Sequence, residues 1–433
     1  VSPATTARRT FSSLSVRNYR LYFIGQLISL SGTWMQSVAQ AWLVLKLTGS
    51  GTSLGLVTAL QFLPVLFLGP VGGLVADRFD KRRVLYISNT AAGLLALALG
   101  LLVAGDLVRL WMVYVLAALL GFVNAFDNPT RQTFVLEMVG SDRLTNAITL
   151  NSVTINLARV IGPSIAGVLI VAVGLSTCFL LNAGSYIAVL VALALMRERE
   201  LHRAPRVPST TGYVRQLGEG LRYVRRTPAL LVPLLMMGVV GMLAYEFQVS
   251  LPLLAKFTFD GGAGAYATMS SFMGAGAVVG GLITASRRRT SPTALATTAI
   301  GFGITILLVA IAPSLLVADL LLVAMGAVSI AFLSLGNTTL QLIAPPEMRG
   351  RVMALWSVAF LGSTPIGGPI VGWIGQHVGP RYGLGLGGVA TLLAGLLAWR
   401  TLARVGRGDA DVVAGGVPAV VLAQEPSTPA PVG

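Results

Sequence analysis

Gly72-Gly73-Leu74-Val75-Ala76-Asp77-Arg78-Phe79-Asp80-Lys81-Arg82-Arg83 joins two long apolar stretches, 52–76 and 83–104. A burst of charge after a stretch of membrane-spanning length belongs in water, in a short loop. Its excess of Arg and Lys assigns that loop to the cytoplasmic side.

Outward from this loop the same alternation recurs. Apolar runs of about 20 residues lie at 20–46, 52–76, 83–104, 109–127, 146–173, 175–196, 230–255, 264–285, 293–312, 315–337, 352–375 and 382–403. The first follows a basic leader without a small-residue cleavage site and is read as a retained helix, not a signal peptide. Apolar residues make up 55% of the 433 positions and charged ones 11%. Soluble domains carry about 25% charged residues, so a water-soluble fold has no means of covering this much apolar surface.

The formal charge of +15 raises the question of nucleic acid, and its distribution answers it. Of 31 basic residues, 26 fall in alternate loops and ends on one side, four on the other (Lys46, Arg109, Lys256, Arg381), and Arg159 lies within a run. That is the positive-inside pattern of an inner (plasma) membrane protein with both termini cytoplasmic. Cys178 is the single cysteine, so no disulfide forms within the chain. With only His202 and His377 beside it, no protein-built metal site is expected, and no cofactor. None of Lys46, Lys81 and Lys256 follows a Gly, which excludes a Walker loop.

The two halves echo one another. Asn128-Pro-Thr-Arg-Gln132 returns as Asn337-Thr-Thr-Leu-Gln341, Gly72-Gly73-Leu74 as Gly280-Gly281-Leu282, and Lys46-Leu-Thr48 as Lys256-Phe-Thr258. Such a duplication predicts two related bundles with a binding cavity between them. The expected division is a cytoplasmic segment 1–19, a six-helix bundle 20–196, a linker 197–228, a second six-helix bundle 229–404, and a disordered cytoplasmic tail 405–433. In the linker, Val214, Leu217, Leu221 and Val224 recur at helical spacing against Arg215, Glu219, Arg222 and Arg225, which predicts an amphipathic helix on the membrane surface.

The loop resembles the signature Gly-x-Leu-Ala-Asp-Arg-x-Gly-Arg-Arg of the major facilitator superfamily, with Val75 for its Leu and Asp80 for its second Gly. The segment from Phe126 through Asn151 to Gly167 looks like the bacterial subgroup of enterobactin exporters and macrolide efflux pumps. The resemblance covers about 17–404 and implies an all-α membrane protein, twelve transmembrane helices in two six-helix pseudo-symmetric bundles. It further implies a latch of the outward-open state built from Gly73, Asp77, Arg78, Lys81 and Asp127. There Asp77 caps the eleventh helix, and Lys81 pairs with an acid on the fourth, for which Asp127 is the candidate. Read from the residues alone, these charges fix topology or form the latch.

Gly162, Pro163, Ala166 and Gly167 set small residues and a kink within one turn. They resemble the Gly-Pro-x-x-Gly-Gly motif on the fifth helix of facilitator-family antiporters; a plain packing kink is the other reading. Arg159, near mid-span, costs roughly 2.5–3.5 kcal/mol on insertion scales and should face a cavity and hold a carboxylate, a carbonyl or an anionic substrate. Glu246 lies inside a second-half span, where a carboxylate can alternate between protonated and charged forms; a lipid-edge or outer-mouth position is its rival reading. Gln26, Ser29, Thr33, Gln36 and Gln40 make one polar stripe, expected to line a pathway or a helix contact, with Asn151, Asn156 and Asn182 completing the wall.

These features point to a secondary active transporter, a proton-coupled antiporter exporting a bulky amphipathic drug, siderophore or secondary metabolite. Protons, a small-molecule substrate and the lipid bilayer are its expected partners, with a monomer favoured. Proton entry at Glu246 or Asp127 would weaken its attraction for Arg159. An uncoupled facilitator, an importer and a transporter-like ligand sensor are the alternatives. No Ser/His/Asp or paired-carboxylate arrangement supports an enzyme.

Overall fold

The computed structural model describes residues 12–202, 213–286, 292–360 and 362–407, built from helices with no strand among the described residues. The first half comprises α1 (Arg17–Thr48), α2 (Gly51–Arg78), α3 (Lys81–Ala104), α4 (Leu110–Val139), α5 (Leu144–Ala172) and α6 (Leu175–Ala194). A linking segment carries α7 (Tyr213–Arg225). The second half comprises α8 (Pro228–Leu243), α9 (Phe247–Phe257), α10 (Ala263–Ser286), α11 (Pro292–Ala310), α12 (Leu315–Ile343), α13 (Pro346–Phe360), α14 (Thr364–His377) and α15 (Pro380–Arg407). Helices α8 and α9 form one span, Pro228–Phe257, and α13 and α14 another, Pro346–His377.

Among the described residues, eleven such spans are long and apolar enough to cross a membrane. The 32-residue α1 has the length. Its Gln and Ser stripe dilutes its apolar content, so composition alone does not mark it. The outer surface is apolar, as lipid requires: Leu397 is 79% exposed, Val171 75% and Ile87 70%.

Local chemistry sets the helix ends. Ser50 caps α2 through the Ser53 N–H, and Gly49 takes the left-handed conformation (φ 62°) that ends α1. Asp80, the residue that departs from the family signature, has a clear job. Its Oδ1 accepts from the Arg83 N–H at 3.0 Å and caps α3. Arg82 works at another helix end, donating from Nε to the Leu193 carbonyl (2.7 Å) and from Nη2 to the Ala194 carbonyl (3.2 Å), the last acceptors of α6.

Packing repeats between the halves. Helix α2 lies along α4 as α10 lies along α12, and α3 against α6 as α11 against α15. The repeated glycines explain the first pair. A Cβ on Gly72 would collide with the Ala125 carbonyl on α4, and one on Gly280 with the Ala327 carbonyl on α12. The halves meet along two seams, α2 with α14 and α5 with α10.

Two expected boundaries move. Helix α1 begins at Arg17, inside the expected leader, and α15 continues to Arg407, three residues into the expected tail. Residues 1–11, 203–212, 287–291, 361 and 408–433 lie outside the described residues, and with them the Arg287–Arg289 cluster and most of the tail. The amphipathic linker helix is present, and it docks on α13 (Glu219 Oε2 to Arg351 Nη2, 3.0 Å), with Val224 buried.

Candidate functional site

One end of the interface between halves is shut. Gly51 and Gly55 on α2 face Gly372 and Gly368 on α14 so closely that a Cβ on Gly51, Gly55 or Gly372 would strike the facing carbonyl. Gln376 Oε1 seals the rim, accepting from Ser50 Oγ (2.7 Å), Thr52 N (3.1 Å) and Thr52 Oγ1 (3.0 Å). Lys256 Nζ donates to the Leu45 carbonyl at 2.9 Å. Along the other seam Ser164 Oγ and Ser271 Oγ are 3.0 Å apart, and Gly167 admits Ala267. The Gly162-Pro163-Ala166-Gly167 group thus serves both sides of α5: Gly162 fits against Trp34 and Ser31 of α1, Ala166 is fully buried, and Gly167 faces α10.

At the other end of α2, roughly 40 Å away at 1.5 Å per residue, the halves part. A cavity of about 470 Å³ opens between α2, α4 and α13, lined by Gly73, Asp77, Asn128, Gln132, Ala354 and Ser357, among others. Asp77 is exposed here and makes no ion pair among the described residues. Arg78 is exposed beside it.

The acid on α4 that meets Lys81 is Glu137, with Nζ to Oε1 at 2.6 Å and both side chains mostly buried. This corrects the expected Lys81–Asp127 pairing. Asp127 lies ten residues from Glu137 on α4, about 15 Å along the axis, too far to reach the same lysine. Asp127 instead accepts from Ser88 Oγ (2.6 Å) and Asn89 Nδ2 (3.0 Å), with Arg131 Nε at 3.8 Å.

Glu246 sits in the break between α8 and α9 and is 2% exposed, which removes the lipid-edge reading. It turns toward the first turn of α14. The Thr364 side chain hydrogen-bonds to it, while Oε1 has no partner. A Cβ on Gly367 would come within 3.1 Å of Oε1, and one on Gly368 within 3.4 Å of Oε2. Two interrupted spans thus meet at one carboxyl group, an arrangement typical of transporter sites.

Arg159 makes no ion pair with Glu246 or any other acid among the described residues, which corrects the expected attraction between them. Its guanidinium lies over the Trp34 ring, 4.8 Å from the centroid, and Nε has no hydrogen-bond partner. It lines a small pocket of about 40 Å³ with Trp34, Ser37, Gln248, Tyr266 and Ser270, drawn from both halves.

The polar stripe of α1 divides. Thr33, Gln36 and Gln40 line a second small pocket with Gln61, Asn182 and Gln248, in which Asn182 Nδ2 donates to Gln36 Oε1 at 2.7 Å. Gln26 instead meets Arg131 (3.4 Å), and Ser29 is buried with its carbonyl accepting from Thr33 Oγ1 (2.9 Å). Asn151 and Asn156 line none of the pockets just described; Asn156 Nδ2 bonds the Ser152 carbonyl of its own helix. Sequence reasoning missed Glu137, Gln61, Gln248 and Tyr266. It also passed over Asp319, a second acid buried in the second half, whose Oδ1 has no partner. For Glu137 the signal was hidden, since it lies ten residues past the end of the apolar run 109–127 and joins the same helix only because α4 continues to Val139.

The family model described as a transmembrane secretion effector matches residues 8–423. The MFS-type transporter YfiS of Bacillus subtilis is 28% identical over 269 residues, covering 61% of this chain and 63% of that protein. The multidrug efflux pump Tap of Mycolicibacterium fortuitum is 26% identical over 82% of this chain and 90% of its own. The enterobactin exporter EntS of Salmonella typhi is 24% identical over 90% and 93%. The chain therefore spans less than two thirds of the first of these relatives and about nine-tenths of the other two. Among solved structures, a bacterial homologue of the lysosomal transporter Spinster, inward-facing and unoccupied, superposes with a TM-score of 0.69 at 16% identity, over 90% of this chain and 98% of that one. The peptide transporter POT in complex with sulfate gives 0.70 at 15%, over 90% and 95%. Two helical halves packed alike and a family model that matches residues 8–423 place this protein in the transmembrane secretion effector family of the major facilitator superfamily.

Proposed function

We propose that the chain exports a bulky amphipathic small molecule by alternating access, coupled to protons entering in the opposite direction. The observation that carries this reading is the asymmetry of the interface: glycine-tight contact at the Gly51–Gly372 end, and a cavity of about 470 Å³ at the Asp77 end. The basic loops lie at the open end. By the positive-inside rule that end is cytoplasmic, so this conformation faces inward. Twelve spans, counting α1, then leave both termini in the cytoplasm. Substrate enters between α2, α4 and α13, and closure brings α13 onto Gly73 and Asp77, the pairing a latch requires.

Glu246 is the proposed proton carrier, since it is buried, incompletely bonded and set where α8, α9 and α14 meet. Ionised, it favours the N-terminal end of α14; neutral, it loses that attraction, and α14 is free to shift against α2. Likeness to a multidrug efflux pump and to an enterobactin exporter supports drugs and siderophores as the substrates to try first. The test is a panel of antibiotics and siderophores in an efflux-deficient host, with and without an uncoupler, followed by Glu246→Gln in proteoliposomes. Export that persists unchanged, with the same pH dependence, removes Glu246 from the scheme and leaves an uncoupled facilitator.

A further inference from the structure

We infer that the transported molecule carries a carboxylate, and that Arg159 receives it in the pocket between the halves. This rests on the reading that the interface binds substrate, and it adds the substrate's chemical class. A guanidinium in a membrane span is costly unless something neutralises it, and among the described residues no acid does so. Its polar and aromatic neighbours are Trp34, Ser37, Phe247, Gln248, Tyr266 and Ser270; the rest of the pocket lining is apolar, and none of it is anionic.

The geometry narrows the choice of anion. The guanidinium carbon lies 4.8 Å from the Trp34 ring centroid, and the N–H groups along its edge are its donors. Nε, on that edge, is buried and unbonded. The N–H fork of a guanidinium edge matches a planar, two-oxygen acceptor, which is the shape of a carboxylate. The pocket of about 40 Å³ has room for a headgroup of carboxylate size. It shares Ser37 and Gln248 with the adjoining pocket of Gln36, Gln40 and Asn182, so a polar body attached to that headgroup has amide and hydroxyl partners next to it. Because α1 and α5 belong to one half and α9 and α10 to the other, an anion on Arg159 is held by both.

The test uses the full chain in detergent and a matched pair of probes, 2-naphthoate and its neutral amide, read by intrinsic tryptophan fluorescence. Wild type should prefer the acid by about tenfold or more, as a charge-assisted pair requires. Arg159→Gln should abolish the preference, and Arg159→Lys, which keeps the charge and controls for folding, should retain part of it. Equal affinity for acid and amide, or a preference that survives Arg159→Gln, overturns the assignment. So does chloride alone reproducing the naphthoate signal with the same dependence on Arg159, since the site would then take an inorganic ion. Binding is measured without a gradient. Acid preference without transport would sink the exporter reading alone, and transport without acid preference would sink this inference alone.

Discussion

Lys81 Nζ rests 2.6 Å from Glu137 Oε1, joining the start of α3 to the last turn of α4, while Asp77, four residues earlier at the end of α2, faces an open cavity without an ion-pair partner among the described residues. The two halves of the loop signature are thus in different states. Its lysine is engaged within the first bundle, and its aspartate lines the cavity between the halves. A double-mutant cycle with Lys81→Ala and Glu137→Gln should give a coupling of about 1 kcal/mol in thermal unfolding. Lys81→Ala with Asp127→Asn should give additive effects. Coupling to Asp127 of equal size would contradict the geometry.

Glycines 72 and 73 are neighbours with opposite expectations. Gly72→Ala drives a Cβ into the Ala125 carbonyl, and Gly280→Ala does the same at Ala327, so both should cut the yield of monodisperse protein sharply. Nothing lies within 4 Å of a Cβ at Gly73. Gly73→Ala should therefore fold normally by size-exclusion chromatography. If α13 closes onto that position, export should still fall.

The shut end offers a covalent test. Cysteines replacing Thr52 and Gln376, in a Cys178→Ser background, should cross-link readily under mild oxidation and stop export until reduced. A pair at Asp77 and Ala354 should stay unlinked in this conformation and become linkable when the outward-facing state is populated. Equal linking at both ends under all conditions would contradict alternating access.

Glu246→Gln removes a buried, incompletely bonded carboxyl and should leave thermal stability unchanged or slightly raised while abolishing proton-driven export. Gly367→Ala, by contrast, should destabilise, because its Cβ meets the Met242 carbonyl and the Glu246 carboxyl together. Comparing the two in melting and transport assays separates loss of a titrating group from loss of fold.

Fold class was legible because lipid leaves few options. Apolar length, alternating basic loops and the 72/280 glycine repeat each have one structural solution. The site was legible only as far as cost reveals function. Arg159 and Glu246 announce themselves because charge in a span is expensive; Glu246 is buried, and Arg159 has its Nε buried. What faces them was not legible. Whether Glu246 turns to Arg159 or to Thr364 depends on where two helices break, and no spacing rule gives that. The Lys81 partner failed for a related reason: Asp127 and Glu137 share one helix, and the choice between them is set by how far α4 extends past the loop. The stripe on α1 was visible as a stripe, yet only Thr33, Gln36 and Gln40 line the small pocket, because Gln26 lies nearer the start of α1, beside Arg131.

The seam of Gly51 and Gly55 against Gly368 and Gly372 has a mechanical consequence. Where helices interlock through bulky side chains, parting them means unthreading knobs and exposing broad oily patches to water. Here two bare backbones touch, so separation uncovers little greasy surface and needs no rotamer to flip. In the proposed cycle this seam would hold firmly through many short contacts and still part on a small push from the carboxyl group beside it.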